Sequence, residues 1–287
     1  MSDKTFPIVR KRSSQLDLTA AFREGGRRGE EYRLMILDSL LDLLGRTEGR
    51  DKFTKLLQFT SLQISAIGGG LGNTTVMERM GWLSQELKEA RQLLRLFKWC
   101  VEYKRIIAII DKRPPDADDF DMLLLISIRL LLIFYWIFDN LDILTKLRIF
   151  KIDKSTFEKT GKKFWLVSLI LHLWLNVRRF VKCNKQIHYP DKVLSHLDPD
   201  DEQVLRHQQI NARKREAVLG IAKVVGDLFV CSREIGGLKE NQIFRWLAGF
   251  GGTVSACISL YGMYSVQAVP EPQVEKVYQN PTMDRSA

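Results

Sequence analysis

The chain has 287 residues, 45% of them hydrophobic, which is enough for one large or two ordinary folded domains and excludes a disordered chain. Lys and Arg outnumber Asp and Glu by 44 to 34, so an anionic partner is favoured: a membrane surface, a nucleic acid or an acidic protein. The four cysteines, Cys100, Cys183, Cys231 and Cys257, are far apart and form no CxxC pair, which reads as a reduced protein without disulfides.

Residues 1–29 carry Lys4, Arg10, Lys11, Arg12, Arg27 and Arg28 with little periodicity and read as a basic flexible arm. The N-terminus shows no apolar core of the length a secretory signal needs, so a non-secreted protein is expected. From Glu30 the pattern turns helical, with Leu34, Leu37, Leu40, Leu41 and Leu44 on one side up to Gly45. A second helix follows in GRDKFTKLLQFTSLQISAI. Phe53, Leu56, Leu57, Thr60, Ile64 and Ile67 share its apolar face, and Lys52, Lys55 and Gln58 turn away. It stops at Gly68, Gly69 and Gly70. The GGGLGNTT run lacks the GK[ST] ending and the preceding strand of a phosphate loop, and reads as a hinge.

Thr75 and Glu78 form a capping box, so a long helix is expected from near Val76 to just before Pro114, about 50 Å at 1.5 Å per residue. Leu83, Leu87, Ala90, Leu94, Phe97 and Val101 fall on one stripe of it, widened by Trp82, Leu93 and Cys100. Lys88, Arg91, Arg95 and Lys98 stack on the flank at spacings of three and four. Apolar residues beside a basic strip suit a helix lying in a membrane interface, and equally a helix packed in a bundle. Residues 30–112 are grouped as an amphipathic helical region.

Residues 113–183 open on the acidic turn PPDADDFD and continue into Met122–Phe138, seventeen residues apolar all round except for Arg129. That length is at the lower limit for a span, and a central arginine costs roughly 2.5–3.5 kcal/mol on insertion scales, so a membrane helix and a bundle core both remain open. A basic stretch to Lys163 follows, and the positive-inside rule puts it in the cytosol if its neighbours enter a membrane. Ser155 and Glu158 make a second capping box before FWLVSLILHLWL, whose twelve residues are too few to span untilted. His172 within it reads as a satisfied core histidine. In 184–269, Asp198 with Pro199 marks a helix start. His188, His196 and His207 have no metal-site spacing with Cys183, so no metal or other cofactor is expected. Trp246–Val266, twenty-one residues without a charge, is read as a transmembrane helix. Gly249, Gly252, Ser255, Ala256 and Ser259 supply small residues where another helix can pack closely. Residues 270–287 form a polar tail. The fold class expected is all-α: an integral or peripheral membrane protein with long amphipathic helices and a C-terminal transmembrane helix.

Four segments together resemble the peroxin-11 family of peroxisomal membrane proteins. They are GRDKFTKLLQFTS, RQLLRLFKWCVEYKR, DNLDILTKLRIF, and EAVLGIAKVVGDLFVC with WLAGFGGTVSACISLY, in that order from about residue 30 to 265. The resemblance implies a non-enzymatic protein of the peroxisomal membrane, or of a specialised peroxisome, with cytosolic termini. It implies that an amphipathic helix enters the cytosolic leaflet, that the protein self-associates, and that it helps recruit a dynamin-related GTPase and its tail-anchored adaptor for fission. On that reading Leu83, Leu87, Leu94, Phe97 and Val101 insert among lipids, while Lys88, Arg91, Arg95 and Lys98 hold anionic headgroups.

The alternative is a pore for small metabolites, lined by Arg129, His172 and the small-residue face near Gly252. Nucleic-acid binding draws only on the positive charge and lacks a zinc pattern or single-strand platform. No nucleophile, base and orienter set, no paired carboxylates and no cofactor loop are legible, so no catalytic residue is assigned.

Overall fold

The computed structural model describes residues 37–113, 117–149, 154–186, 202–236 and 241–268. The chain divides into two compact units, Met1–Gly45 and Arg46–Ala287. In the first, residues 37–45 are helical. The basic arm 1–29, the Asp198 helix start, His188, His196 and the tail 270–287 lie outside the described residues.

The second unit is built of helices, with no strand among the described residues: α1 (Thr47–Gly70), α2 (Thr74–Leu94), α3 (Lys98–Asp111), α4 (Asp119–Lys146), α5 (Lys154–Gln186), α6 (Glu202–Ile235) and α7 (Gln242–Ala268). The regions drawn from sequence at 113 and 184 thus fall inside one compact body. α1 packs on α2 and α7, α7 on α6, α6 on α5, α5 on α4, and α4 on α3. A lighter contact between α2 and α4 closes the ring. The packed neighbours run antiparallel, as cross-helix pairs show. In α4 and α5, Phe120 meets Trp174 near one end, while Phe138 meets Phe157 and Phe164 near the other.

Local chemistry places the helix starts. Asn73 caps α2, its Oδ1 accepting from the Val76 amide at 3.0 Å, and Gly72 supplies the left-handed turn before it at φ 72°. The expected Thr75 box is therefore displaced: Thr75 is already inside the helix. Asp118 caps α4 by accepting from the Asp121 amide at 2.8 Å, and Asp119 and Asp121 place negative charge in its first turn.

The single long helix expected from Val76 to Pro114 is two helices. They are separated at Arg95–Phe97, where Phe97 takes a left-handed φ of 58° and the backbone tightens through amide bonds from Arg95, Leu96 and Lys98 to carbonyls three residues back. Neither Gly nor Pro marks this break, and a left-handed Phe costs about 1–2 kcal/mol. The bend lets α2 stay on α1 while α3 moves across to α4.

The unit buries apolar clusters, such as Phe59 with Leu62, Val230 and Ala248, but it also buries many polar residues and leaves large apolar ones outside. On α1 the residues buried against neighbours include Asp51, Lys55, Gln58, Ser61 and Ser65, while Leu57, Ile64 and Ile67 face out. The apolar face read from sequence is therefore the outer one. Trp82 at 72%, Phe97 at 66% and Ile243 at 69% are exposed, whereas Glu102 and Asp142 are 2% and 1% exposed. Charged residues are rarely so buried unless paired, and large exposed apolar surfaces mark contact with membrane or protein. Among the described residues, three helices are long and apolar enough to cross a membrane: Asp119–Lys146, Phe157–Gln186 and Gln242–Tyr264. The last overlaps all but the final two residues of the span expected from sequence, Trp246–Val266, and α7 itself covers the whole of it. The second extends the twelve-residue FWLVSLILHLWL run into 30 residues.

Candidate functional site

The basic strip of α2 and α3 points into the bundle. Arg91, 7% exposed, donates from Nε to Asp51 at 3.0 Å and from a terminal nitrogen to Gln58 Oε1 at 2.6 Å. Lys88 Nζ bonds Glu234 on α6 at 2.9 Å. The Arg95 guanidinium lies 5.2 Å above the Trp136 ring, and Lys98 Nζ lies 4.9 Å from the same centroid. Burial would raise the Asp51 carboxyl, but Arg91, Lys52 and Arg95 outweigh it and hold it well below the usual carboxylate range.

Arg129 is also held. Its terminal nitrogen bonds Glu102 at 2.9 Å, and Glu102 binds Arg105 at 2.8 Å on its other oxygen. Asp139, ten residues on in the same helix, faces Arg95 at 3.9 Å. A half-buried arginine is thus neutralised across α3 and α4 rather than within α4.

The apolar residues of the stripe look outward. Leu83, Phe97 and Val101 are exposed, and Leu87 and Leu94 are half-buried. The outward apolar surface continues well past them, through Leu93, Leu96, Tyr103, Ile107 and Ile110, because α3 buries only Glu102 and Ile106. The sequence reading stopped at Val101. The signal for the remainder was present as Ile107 and Ile110 at helical spacing from Tyr103, but the assumed straight helix drew the stripe elsewhere. The cations exposed beside this surface are Lys104, Lys112 and Arg113.

The small residues of α7 face α1. A Cβ on Gly249 would stand 2.8 Å from the Gln63 Cα, and one on Gly252 would strike the Phe59 ring. Ser255 and Ala256 are fully buried, and the Ser259 hydroxyl donates back to the Ser255 carbonyl at 2.8 Å. Lys55 Nζ reaches Asp227 on α6 at 2.7 Å and Ser255 Oγ at 2.8 Å, tying three helices together. Burial lowers the Lys55 ammonium to about 8 despite Asp227. A second close approach, missed from sequence, brings Gly251 against Gly226 of α6, backbone to backbone.

Behind the basic strip lies a cavity of about 230 Å³, walled by α1, α3, α4, α5 and α6 together with the end of α2. Arg129 and His172 both line it. Cys100 and Cys257 are exposed and Cys183 and Cys231 buried, all as free thiols. No group of three His, Cys, Asp or Glu placed to hold a metal occurs among the described residues.

Large apolar side chains on the outer surface, charged residues buried beside the apolar core, and three helices of spanning length among the described residues define a helical membrane protein. The chain belongs to the Peroxisomal biogenesis factor 11 (PEX11) family, whose model matches residues 37–264. Membership makes it a peroxisomal membrane protein of peroxisome biogenesis. It is 24% identical over 245 residues to the Peroxisomal membrane protein 11 homolog of Dictyostelium discoideum, covering 79% of this chain and 94% of that relative. No solved structure matches.

Proposed function

We propose that the protein bends and elongates the peroxisomal membrane by laying the outer face of α2 and α3 into the cytosolic leaflet, and so promotes division of the organelle. The observation that carries this reading is the exposed apolar surface running from Leu83 through Phe97 and Val101 to Ile110. A helix sunk among acyl chains of one leaflet expands that leaflet's area and favours curvature. The break at Phe97 gives two short segments in place of a rigid rod, and each can lie along a curved surface. The headgroup role read for Lys88, Arg91, Arg95 and Lys98 would require them to leave the carboxylates and the ring that hold them. In the packed bundle we assign headgroup contact to Lys104 and Lys112, which flank the apolar surface.

Self-association, with recruitment of a dynamin-related GTPase and its tail-anchored adaptor, completes the reading and rests on the family resemblance. Cytosolic termini belong to it too, and they require an even number of crossings. Two of the three candidate spans then cross together.

The test uses the full chain reconstituted into anionic liposomes. Phe97→Glu with Val101→Glu is expected to remain integrated through the spans yet lose tubulation. Tubules formed at the wild-type rate by an integrated double variant would refute the wedge.

A second reading, a solute conduit, is favoured by one observation: Arg129 and His172 share the polar cavity. Gly252, the third residue expected on such a path, is closed against Phe59. Arg129→Leu should then change solute flux across proteoliposomes, and unchanged flux removes this reading.

A further inference from the structure

The interior cavity has an unbalanced charge. Eight Lys and Arg side chains line it against four carboxylates, Glu48, Asp51, Glu102 and Asp227. Those four are already used. Asp51 takes Arg91, with Lys52 at 3.2 Å and Arg95 at 3.9 Å. Asp227 takes Lys55, Glu102 takes Arg105 and Arg129, and Glu48 lies 3.6 Å from Arg105. Among the described residues no carboxylate lies within ion-pair distance of Lys98 on α3 or Lys223 on α6, two cavity residues from different helices. The buried Nε–H of Arg129, on a third wall, has no acceptor.

Uncompensated cations drawn together out of water are costly, and a protein that keeps them together gains most when an anion completes the set. Lys98 is pushed down to about 7 by burial and by Lys52, and Lys223 is lowered by the same two causes. Asp139, outside the lining, faces Arg95 at 3.9 Å, and the remaining excess of three positive charges suits a dianion better than a chloride or a single carboxylate. The lining also includes the apolar and aromatic side chains Leu132, Trp136, Trp165 and Leu169 of α4 and α5. A volume of about 230 Å³ takes a phosphate and a small carbon group, below the roughly 300 Å³ at which pockets for larger ligands begin.

We propose that this cavity is a binding site for a phosphate monoester, a dianion at neutral pH, held by Lys98, Lys223 and Arg129 and seated against Trp136. The phosphate comes either from a small soluble ester or from the headgroup of a lipid whose chain leaves between helices. Occupancy ties α3 to α6, two helices that do not otherwise pack on each other. The site is independent of the outward surface and stands whether or not that surface bends membranes.

The test is thermal unfolding of the full chain in neutral detergent at constant ionic strength, with chloride as reference. The added probes are inorganic phosphate, glycerol 3-phosphate, lysophosphatidic acid and, as a zwitterionic control, lysophosphatidylcholine. At 100-fold excess over the dissociation constant the midpoint should rise by about 5 °C. A rise with glycerol 3-phosphate assigns a soluble ester, and a rise with lysophosphatidic acid alone assigns a lipid phosphate. Lys98→Met and Lys223→Met should each abolish the rise while leaving the ligand-free midpoint equal or higher, because each removes a desolvated cation. Lys98→Arg should keep it. Direct binding of radiolabelled glycerol 3-phosphate or lysophosphatidic acid by equilibrium dialysis gives the same comparison without unfolding. No rise beyond the chloride reference for any phosphate probe, or a full rise retained in both methionine variants, would overturn the proposal.

Discussion

The contact of Gly251 with Gly226 sets how closely α6 and α7 approach, and replacing Gly251 by alanine tests it directly. A Cβ there would stand 2.7 Å from the Gly226 carbonyl oxygen, 3.0 Å from its Cα and 3.2 Å from its carbonyl carbon. All three are backbone atoms and cannot rotate aside. To reach 3.4 Å the helices must part by about 0.7 Å, the difference between 3.4 and 2.7 Å. Parting them also stretches the Lys55 bridge to Asp227 and Ser255, at 2.7 and 2.8 Å, since its two acceptors sit on the two helices. Overpacking of this kind costs about 1–3 kcal/mol, against roughly 1 kcal/mol gained by exchanging glycine for alanine within a helix. The strain therefore wins where the fit is rigid. Gly262, on the same helix with open space where its Cβ would go, supplies the control and carries only the gain. In detergent-solubilised protein, Gly251→Ala should lower the unfolding midpoint by about 2–4 °C and Gly262→Ala should leave it level or raise it. Equal shifts in the two variants would show that the close approach does not hold this interface.

The remaining predictions concern charge. Asp227→Asn leaves the buried Lys55 ammonium without its counter-ion and should cost about 3–5 kcal/mol, most of it recovered in the Lys55→Met, Asp227→Leu double variant. A double variant no more stable than the single, by denaturant unfolding, would deny the pair its neutralising role. Lys98 faces Lys52, Arg95, Asp51, Glu48 and the Trp136 ring, and its ammonium is lowered from 10.5 to about 7 by burial and Lys52. The unfolded chain then holds more protons between those values. Its penalty is full below pH 7, relaxes as pH rises and is gone near 10.5, so stability should climb with pH by at most about 1.4 kcal/mol per unit from this group. Lys98→Met should flatten that slope between pH 7 and 9, and an unchanged slope would place the titration elsewhere.

Helix positions were readable because the 3.6-residue period, the acidic start of α4 and the uncharged run of α7 are local signals. Periodicity finds two faces of a helix but does not say which is inside, and on α1 the polar face with Asp51, Lys55 and Gln58 proved to be the inner one. The decision depends on partners far along the chain. Arg91 turns inward because Asp51, forty residues earlier, waits there, and Lys55 is held by Asp227, 172 residues later. The break at Phe97 left no trace in residue type, because neither glycine nor proline was needed once α4 offered Trp136 and Asp139 to the residues beside it. The small residues of α7 were legible as a group, but the nearest backbone approach lies at Gly251, one position from Gly252 and on the side facing α6.

The apolar outer surface has a consequence for the newly made chain. Released into water, it would have to expose Leu57, Ile64, Phe97 and Ile107 to reach the arrangement in which Asp51 and Glu102 find their partners. The apolar groups left outside gain nothing in an aqueous solvent, so the arrangement is favoured where lipid covers them. Folding and insertion are then a single event.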